Sequence, residues 1–129
     1  MRTQTMTETC SLLIVDDSHE VRYLLGCALE ADERFTVVGE ADTARAGLEL
    51  ALRARPDAVM VDLFLIGEDG LWLLRRLRRD LPGARLVAVT GSSDPVLHAE
   101  ATAAGADAVL EKRNLTTSLL DKLDAATRR

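Results

Sequence analysis

The stretch Leu12-Leu13-Ile14-Val15-Asp16-Asp17 decides the fold. Four consecutive aliphatic residues read as a strand buried on both faces. Such a strand should not finish on two adjacent carboxylates unless something nearby neutralises them. A second run, Ala58-Val59-Met60-Val61, ends the same way, on Asp62. If the two strands lie side by side, three carboxylates crowd one edge of a sheet. Like charges that close raise one another's pKa or recruit a cation. The cluster therefore reads as a divalent-metal site with a reactive aspartate.

Outward from these runs, strand and helix patterns alternate. Ser18 is placed to cap a helix, whose apolar face is Val21, Leu24, Leu25, Ala28 and Leu29 at helical spacing. Residues 35–38 form a second strand, with the polar Thr36 suited to an edge. Asp42 caps a helix with the face Ala44, Leu48, Ala51 and Leu52, and Pro56 closes the loop before the third strand. Asp69-Gly70 marks a turn. Leu73, Leu74, Leu77 and Leu81 give the third helix its face, and Pro82-Gly83 ends it. Residues 86–89 are the fourth strand. Ser93 or Asp94 caps the fourth helix, with Pro95 in its first turn, and Gly105 ends it. Residues 108–110 are the fifth strand. Asn114 caps the last helix, which carries Leu115, Leu119, Leu120 and Leu123. Five such units predict an α/β fold: one doubly wound parallel sheet covered on both faces. Residues 1–10 read as a flexible N-terminal tail and 11–129 as one domain.

Composition agrees with this and narrows the function. The 129 residues suffice for one domain with its own core. Hydrophobic residues make up 47% and aromatics only 3%, so the core is aliphatic. The net charge of −5 argues against direct nucleic-acid binding. No apolar stretch approaches the ~20 residues that span a bilayer. The two cysteines, Cys10 and Cys27, lack metal-ligand spacing and suit reduced thiols in a cytoplasmic protein, with a disulfide as the alternative.

A doubly wound sheet places its functional groups outside the carboxyl ends of the strands, at the switch in strand order. For the order 2-1-3-4-5 the switch lies between strands one and three. Asp16, Asp17 and Asp62 follow those strands, Thr90 follows strand four and Lys112 follows strand five, so all five face one crevice. Aspartates without His or Cys suit Mg²⁺, or Mn²⁺, rather than zinc.

Asp16-Asp17, Asp62, Thr90 and Lys112, each at its strand end, resemble the receiver domain of two-component response regulators, over residues 11–124. The resemblance implies that Asp62 accepts a phosphoryl group from a sensor histidine kinase or phosphotransfer protein. It assigns metal binding to Asp16, Asp17 and the backbone carbonyl of Phe64, phosphate pairing to Lys112, and the switch hydroxyl to Thr90. Gly91 leaves room for the phosphoryl group in this scheme, or is simply a flexible turn. Helix four has little apolar anchorage, Val96 and Leu97 among alanines, and is expected to move on activation. The implied output is a downstream protein target or a fused output domain. Homodimerisation or partner contact would fall on the surface of helix four, strand five and helix five, with Thr116, Asp121 and Lys122 as candidates. The chain reads either as a stand-alone regulator or as a receiver cut from a longer protein, with Arg128-Arg129 beginning a linker.

Three positions depart from the family pattern. Arg113 follows Lys112 where a cis proline is usual, so a trans bond and an altered loop are expected. Val109 stands at the aromatic switch position and has no ring to swing. Ile66 replaces a proline. These departures keep open a degenerate receiver acting as a phosphorylation-independent interaction module. A phosphohydrolase of the haloacid-dehalogenase type wants a second aspartate two residues after the nucleophile; Phe64 is there instead, which argues against an enzyme. A flavodoxin-like nucleotide binder conflicts with the acidic loop after strand one. Of the remaining polar residues, His19 and His98 read as surface histidines, Arg75, Arg76, Arg78 and Arg79 as a solvated helix face, and Trp72 as a partly exposed packing residue.

Overall fold

The computed structural model describes residues 9–65, 68–112 and 117–128. Its main sheet is built from β1 (Cys10–Val15), β2 (Phe35–Ala41), β3 (Ala58–Asp62), β6 (Arg85–Thr90) and β7 (Ala108–Glu111). All four pairings are parallel, and the spatial order is β2-β1-β3-β6-β7. This is the doubly wound order expected above, with β6 and β7 as its fourth and fifth strands. β1 begins at Cys10, a residue assigned to the tail, because its backbone N–H donates to the Arg34 carbonyl at 2.8 Å.

The helices are α1 (His19–Glu30), α2 (Ala44–Ala54), α3 (Gly70–Asp80), α4 (Pro95–Ala104) and α5 (Thr117–Thr127). They divide the aliphatic core in two. On one face Leu13, Val15, Val59, Val61, Leu86 and Ala88 meet α2, α3 and α4. On the other, Leu12, Ile14, Met60, Val87 and Val89 meet α1 and α5. Alternate residues of each central strand thus point to opposite sides, and both are apolar, as burial on two faces demands.

Several local expectations are corrected. The second helix is capped by Thr43, whose hydroxyl accepts from the Ala46 N–H, not by Asp42. Asp69-Gly70 is a helix start: Asp69 caps α3 by accepting from the Leu71 N–H. A two-stranded antiparallel hairpin, β4 (Phe64–Leu65) with β5 (Glu68–Asp69), lies between β3 and α3 and was not anticipated. Leu24, Ala28 and Leu52 are exposed, because α1 buries only Leu25 and Leu29 and α2 turns Ala44, Gly47, Leu48 and Ala51 inward. The expected capping residue Asn114, together with Leu115, Thr116, Arg113 and Ile66, lies outside the described residues.

The arginine run of α3 is also less solvated than its composition suggests. Arg78 donates to the carbonyls of Pro82, Ala84 and Gly105 and to the Asp107 carboxylate, at 2.7–3.2 Å. It thereby ties the end of α3 to the start of β6 and to the turn between α4 and β7. Gly105 sits in that turn at φ +122°, and a Cβ there would meet the Arg78 side chain at 2.8 Å. Trp72 is half-buried and flanked by two guanidinium groups, Arg45 at 5.6 Å and Arg76 at 5.4 Å from its ring centre.

Candidate phosphoryl-acceptor and metal site

β1 and β3 are neighbours, with Val15 paired to Val61. Asp16 and Asp17, just past β1, and Asp62, at the end of β3, therefore leave the sheet side by side. One carboxylate oxygen from each falls within 4.8 Å of the others. Asp62 is 2% exposed and Asp16 3% exposed. Two buried carboxylates at this spacing need compensation, and Lys112 supplies it. Its Nζ lies 3.0 Å from Asp62 Oδ2 and 3.1 Å from Asp16 Oδ2. β7 carries Lys112 to the cluster by ending one residue before it.

A backbone N–H reaches the other oxygen of each of these two buried carboxylates. Asp62 Oδ1 accepts from the Phe64 N–H at 3.0 Å. Asp16 Oδ1 accepts from the Ser18 N–H at 2.9 Å, while Ser18 caps α1 through Val21. Burial is the main reason the Asp62 carboxyl is held above the usual carboxylate range; the Phe64 N–H and Lys112 oppose that shift and the Asp16 charge adds to it. For Lys112, burial pulls the ammonium down, but its hydrogen bonds to Asp62 and Asp16 and their charges together outweigh it, so the net direction is up.

Thr90 ends β6 fully buried, and its hydroxyl oxygen accepts from the Ser92 N–H at 3.0 Å. Gly91 is exposed, and a Cβ there would meet nothing within 4 Å, so nothing in the surrounding protein demands a glycine. Val109 is half-buried against the α3–α4 side of the core. Asp121 accepts from Arg34 Nη1 at 3.2 Å, Lys122 is exposed, and neither is near the acidic cluster in the fold, since α5 returns to the opposite end of the sheet beside Arg34. His19 is exposed, as expected; His98 is half-buried, and its Nε2 lies 2.8 Å from the Ser92 carbonyl oxygen.

Two residues support the site in roles that the sequence did not reveal. Gly70 opens α3 directly over the end of β3: a Cβ there would lie 2.5 Å from the Asp62 carbonyl oxygen and 2.7 Å from Leu63 Cα. The Asp-Gly pair signalled special backbone, but not which element needed it. Arg22 donates from Nη1 to the Asp16 carbonyl at 2.6 Å and pairs through Nε with Glu40 at 3.3 Å. It fixes the loop that bears both aspartates to the end of β2. Its position one turn into α1, six residues after Asp16, was the available signal.

The donors gathered here are carboxylates, which suits a hard divalent cation. The family model for the response regulator receiver domain matches residues 12–124. The transcriptional regulatory protein LiaR of Bacillus subtilis is 30% identical over 117 residues, covering 91% of this chain and 56% of that protein. A protein-glutamate methylesterase/protein-glutamine glutaminase of Syntrophus aciditrophicus is 36% identical over 106 residues, covering 81% of this chain and 30% of that protein. The chain thus spans about half or less of the length of these curated relatives. A Burkholderia pseudomallei response regulator, solved with a phosphorylated aspartic acid, a calcium ion and citrate, superposes with a TM-score of 0.80 at 28% identity, covering 92% of this chain and 66% of that one.

Proposed function

The chain belongs to the receiver-domain family of two-component response regulators, and from that premise we propose that Asp62 accepts a phosphoryl group from a histidine kinase or phosphotransfer protein. The observation that carries this reading is the Lys112 ammonium bridging Asp62 and Asp16 inside a cluster of three carboxylates. Asp16, Asp17 and Asp62, with the Phe64 backbone carbonyl, are the proposed ligands of Mg²⁺ (or Mn²⁺). When bound, such an ion offsets the repulsion between a carboxylate and an anionic phosphoryl group and favours in-line approach.

An Asp62 carboxylate oxygen attacks phosphorus as the bond to the donor imidazole nitrogen breaks; the electron pair stays on that nitrogen, so a phosphohistidine protonated on its other ring nitrogen departs as neutral imidazole and Asp62 becomes an acyl phosphate. The new phosphoryl group brings charge that Lys112 pairs as a compact cation. The Thr90 hydroxyl supplies a further donor by rotating toward it, and the open space beside Gly91 admits the group. The aspartyl-phosphate and calcium ion of the Burkholderia relative support the same chemistry by analogy.

For partners, the proposal is a kinase or phosphotransfer protein upstream, and a protein target or a fused output domain downstream. Contact with nucleic acid would belong to an output region outside this span, as the name of the LiaR relative suggests; the domain's own charge is −5. Lys122 and Asp121 remain candidate partner or homodimer contacts. No described helix is long and apolar enough to cross a membrane. A second reading, a phosphorylation-independent interaction module, draws on Lys112 already satisfying both buried carboxylates without a phosphoryl group.

Intact mass after incubation with acetyl phosphate and Mg²⁺ separates these readings. The expected result is one phosphoryl adduct on the native chain and none on Asp62→Asn. No adduct on the native chain supports the interaction module. Continuous phosphate release from varied monoesters would make the chain an enzyme.

A further inference from the structure

We propose that His98 is the positioning residue that couples the Thr90 loop to helix α4, a role that rests on the proposed phosphorylation of Asp62. Ser92 is the joint. Its N–H donates to the Thr90 hydroxyl oxygen at 3.0 Å, its own hydroxyl accepts from the Asp94 N–H at 3.0 Å, and its carbonyl oxygen lies 2.8 Å from His98 Nε2. A carbonyl only accepts, so Nε2 carries the proton in this contact. Asp94 in turn caps α4 through the Val96 N–H. The backbone of one loop residue is thus tied at one side to the switch hydroxyl and at the other to the first full turn of the helix.

The helix itself is built to respond at that end. Val96 is 66% exposed and Leu97 only half-buried, so the N-terminal turn has little apolar anchorage. The buried contacts are two small residues, Ala101 and Ala104, in the second half. Beyond them, the Gly105 carbonyl is gripped by Arg78 at 2.7 and 3.2 Å. α4 is therefore pinned at its C-terminal end and tethered through His98 at its N-terminal end. When the Thr90 hydroxyl turns away, the Ser92 N–H loses its acceptor; the residue shifts, and the carbonyl that holds His98 shifts with it. With Val109 in place of a ring, this hydrogen-bonded route carries the displacement.

The test is hydrogen exchange across α4 in the full chain with Mg²⁺, with and without acetyl phosphate, in the native protein, His98→Leu and His98→Gln. Intact mass on the same samples reports the Asp62 adduct. Modification is expected to accelerate exchange in the first two turns of α4 of the native protein by about fivefold, the factor carried by one hydrogen bond of ordinary net strength. In His98→Leu those amides should exchange fast before modification and respond little to it, while the adduct forms normally. His98→Gln keeps an N–H donor and should restore the native response. An adduct in all three proteins with an undiminished α4 response in His98→Leu, or identical behaviour of Leu and Gln, would overturn the coupling alone. Absence of the adduct from the native chain would overturn the phosphoryl reading and the coupling with it.

Discussion

The two ends of the sheet each hold a half-buried cation, and they use it differently. At the carboxyl edge, Lys112 spans two carboxylates from two strands, and the Asp62 carboxyl sits above its ordinary range because it is buried. At the amino edge, Arg78 spreads its fork over three carbonyls and one carboxylate. The Asp107 carboxylate it holds also accepts from the Leu86 N–H at 2.8 Å, and Ser11 and Asp57 exchange two further bonds across β1 and β3. A guanidinium matched to fixed backbone acceptors is a rigid fastening. An ammonium between two carboxylates is a point charge that can change partners without rebuilding the backbone. One end holds the fold, and the other is where the proposed function places an incoming phosphoryl group.

The largest effect should come from breaking the fastening. Arg78→Ala strands the Gly105 and Ala84 carbonyls and leaves Asp107 to the Leu86 N–H and to the partly exposed Arg85, 3.8 Å away. Unpaired buried acceptors cost about 1–3 kcal/mol, so a loss of about 3 kcal/mol in chemical denaturation is expected, with Arg78→Lys recovering only part of it. A loss no greater than that of an exposed arginine such as Arg79 would put the two ends on the same footing.

Replacing the acceptor should act in the opposite direction. The folded Asp62 carboxyl lies above its unfolded value, so its contribution to stability is complete below the ordinary carboxylate range and disappears as pH rises through the folded value. At neutral pH the buried charge is a liability. Asp62→Asn, in which Lys112 still reaches Asp16, should leave the metal-free protein more stable than the native chain at pH 7. The gain should shrink toward zero in acid, where the native carboxyl is protonated as well. Thermal melts across that range check it; destabilisation at pH 7 would mean that the Lys112 pair outweighs burial.

The sequence made the carboxyl edge legible and concealed the amino edge. Unbroken aliphatic runs ending in Asp16-Asp17 and Asp62 encode both a buried strand and its charged terminus, so the cluster is legible once the two strands are taken as neighbours. The order β2-β1-β3-β6-β7 then places Thr90 and Lys112 at the same edge. Arg78 sat unmarked within four arginines, because a helix presents neighbours in sequence to different surroundings, and only the turn at Gly105 selects one. The same ambiguity misplaced Leu24 and Leu52: an apolar residue at helical spacing can lie on the flank of the stripe and stay in water. The contact of His98, a residue read as a surface histidine, was hidden for another reason. Its partner is a backbone carbonyl six residues earlier, and no side-chain pattern encodes that.

The convergence of Asp16, Asp17 and Asp62 on one hard cation is the claim from which the proposed chemistry at this edge follows. Calorimetric titration of the metal-free chain with Mg²⁺ tests it most directly, beside Asp17→Asn as the variant that leaves the Lys112 bridge intact. One binding site per chain on the native protein, with affinity at least tenfold weaker in the variant, is the predicted result. That factor corresponds to about 1.4 kcal/mol for the lost carboxylate ligand. No uptake by the native chain, or equal uptake by both, would contradict it.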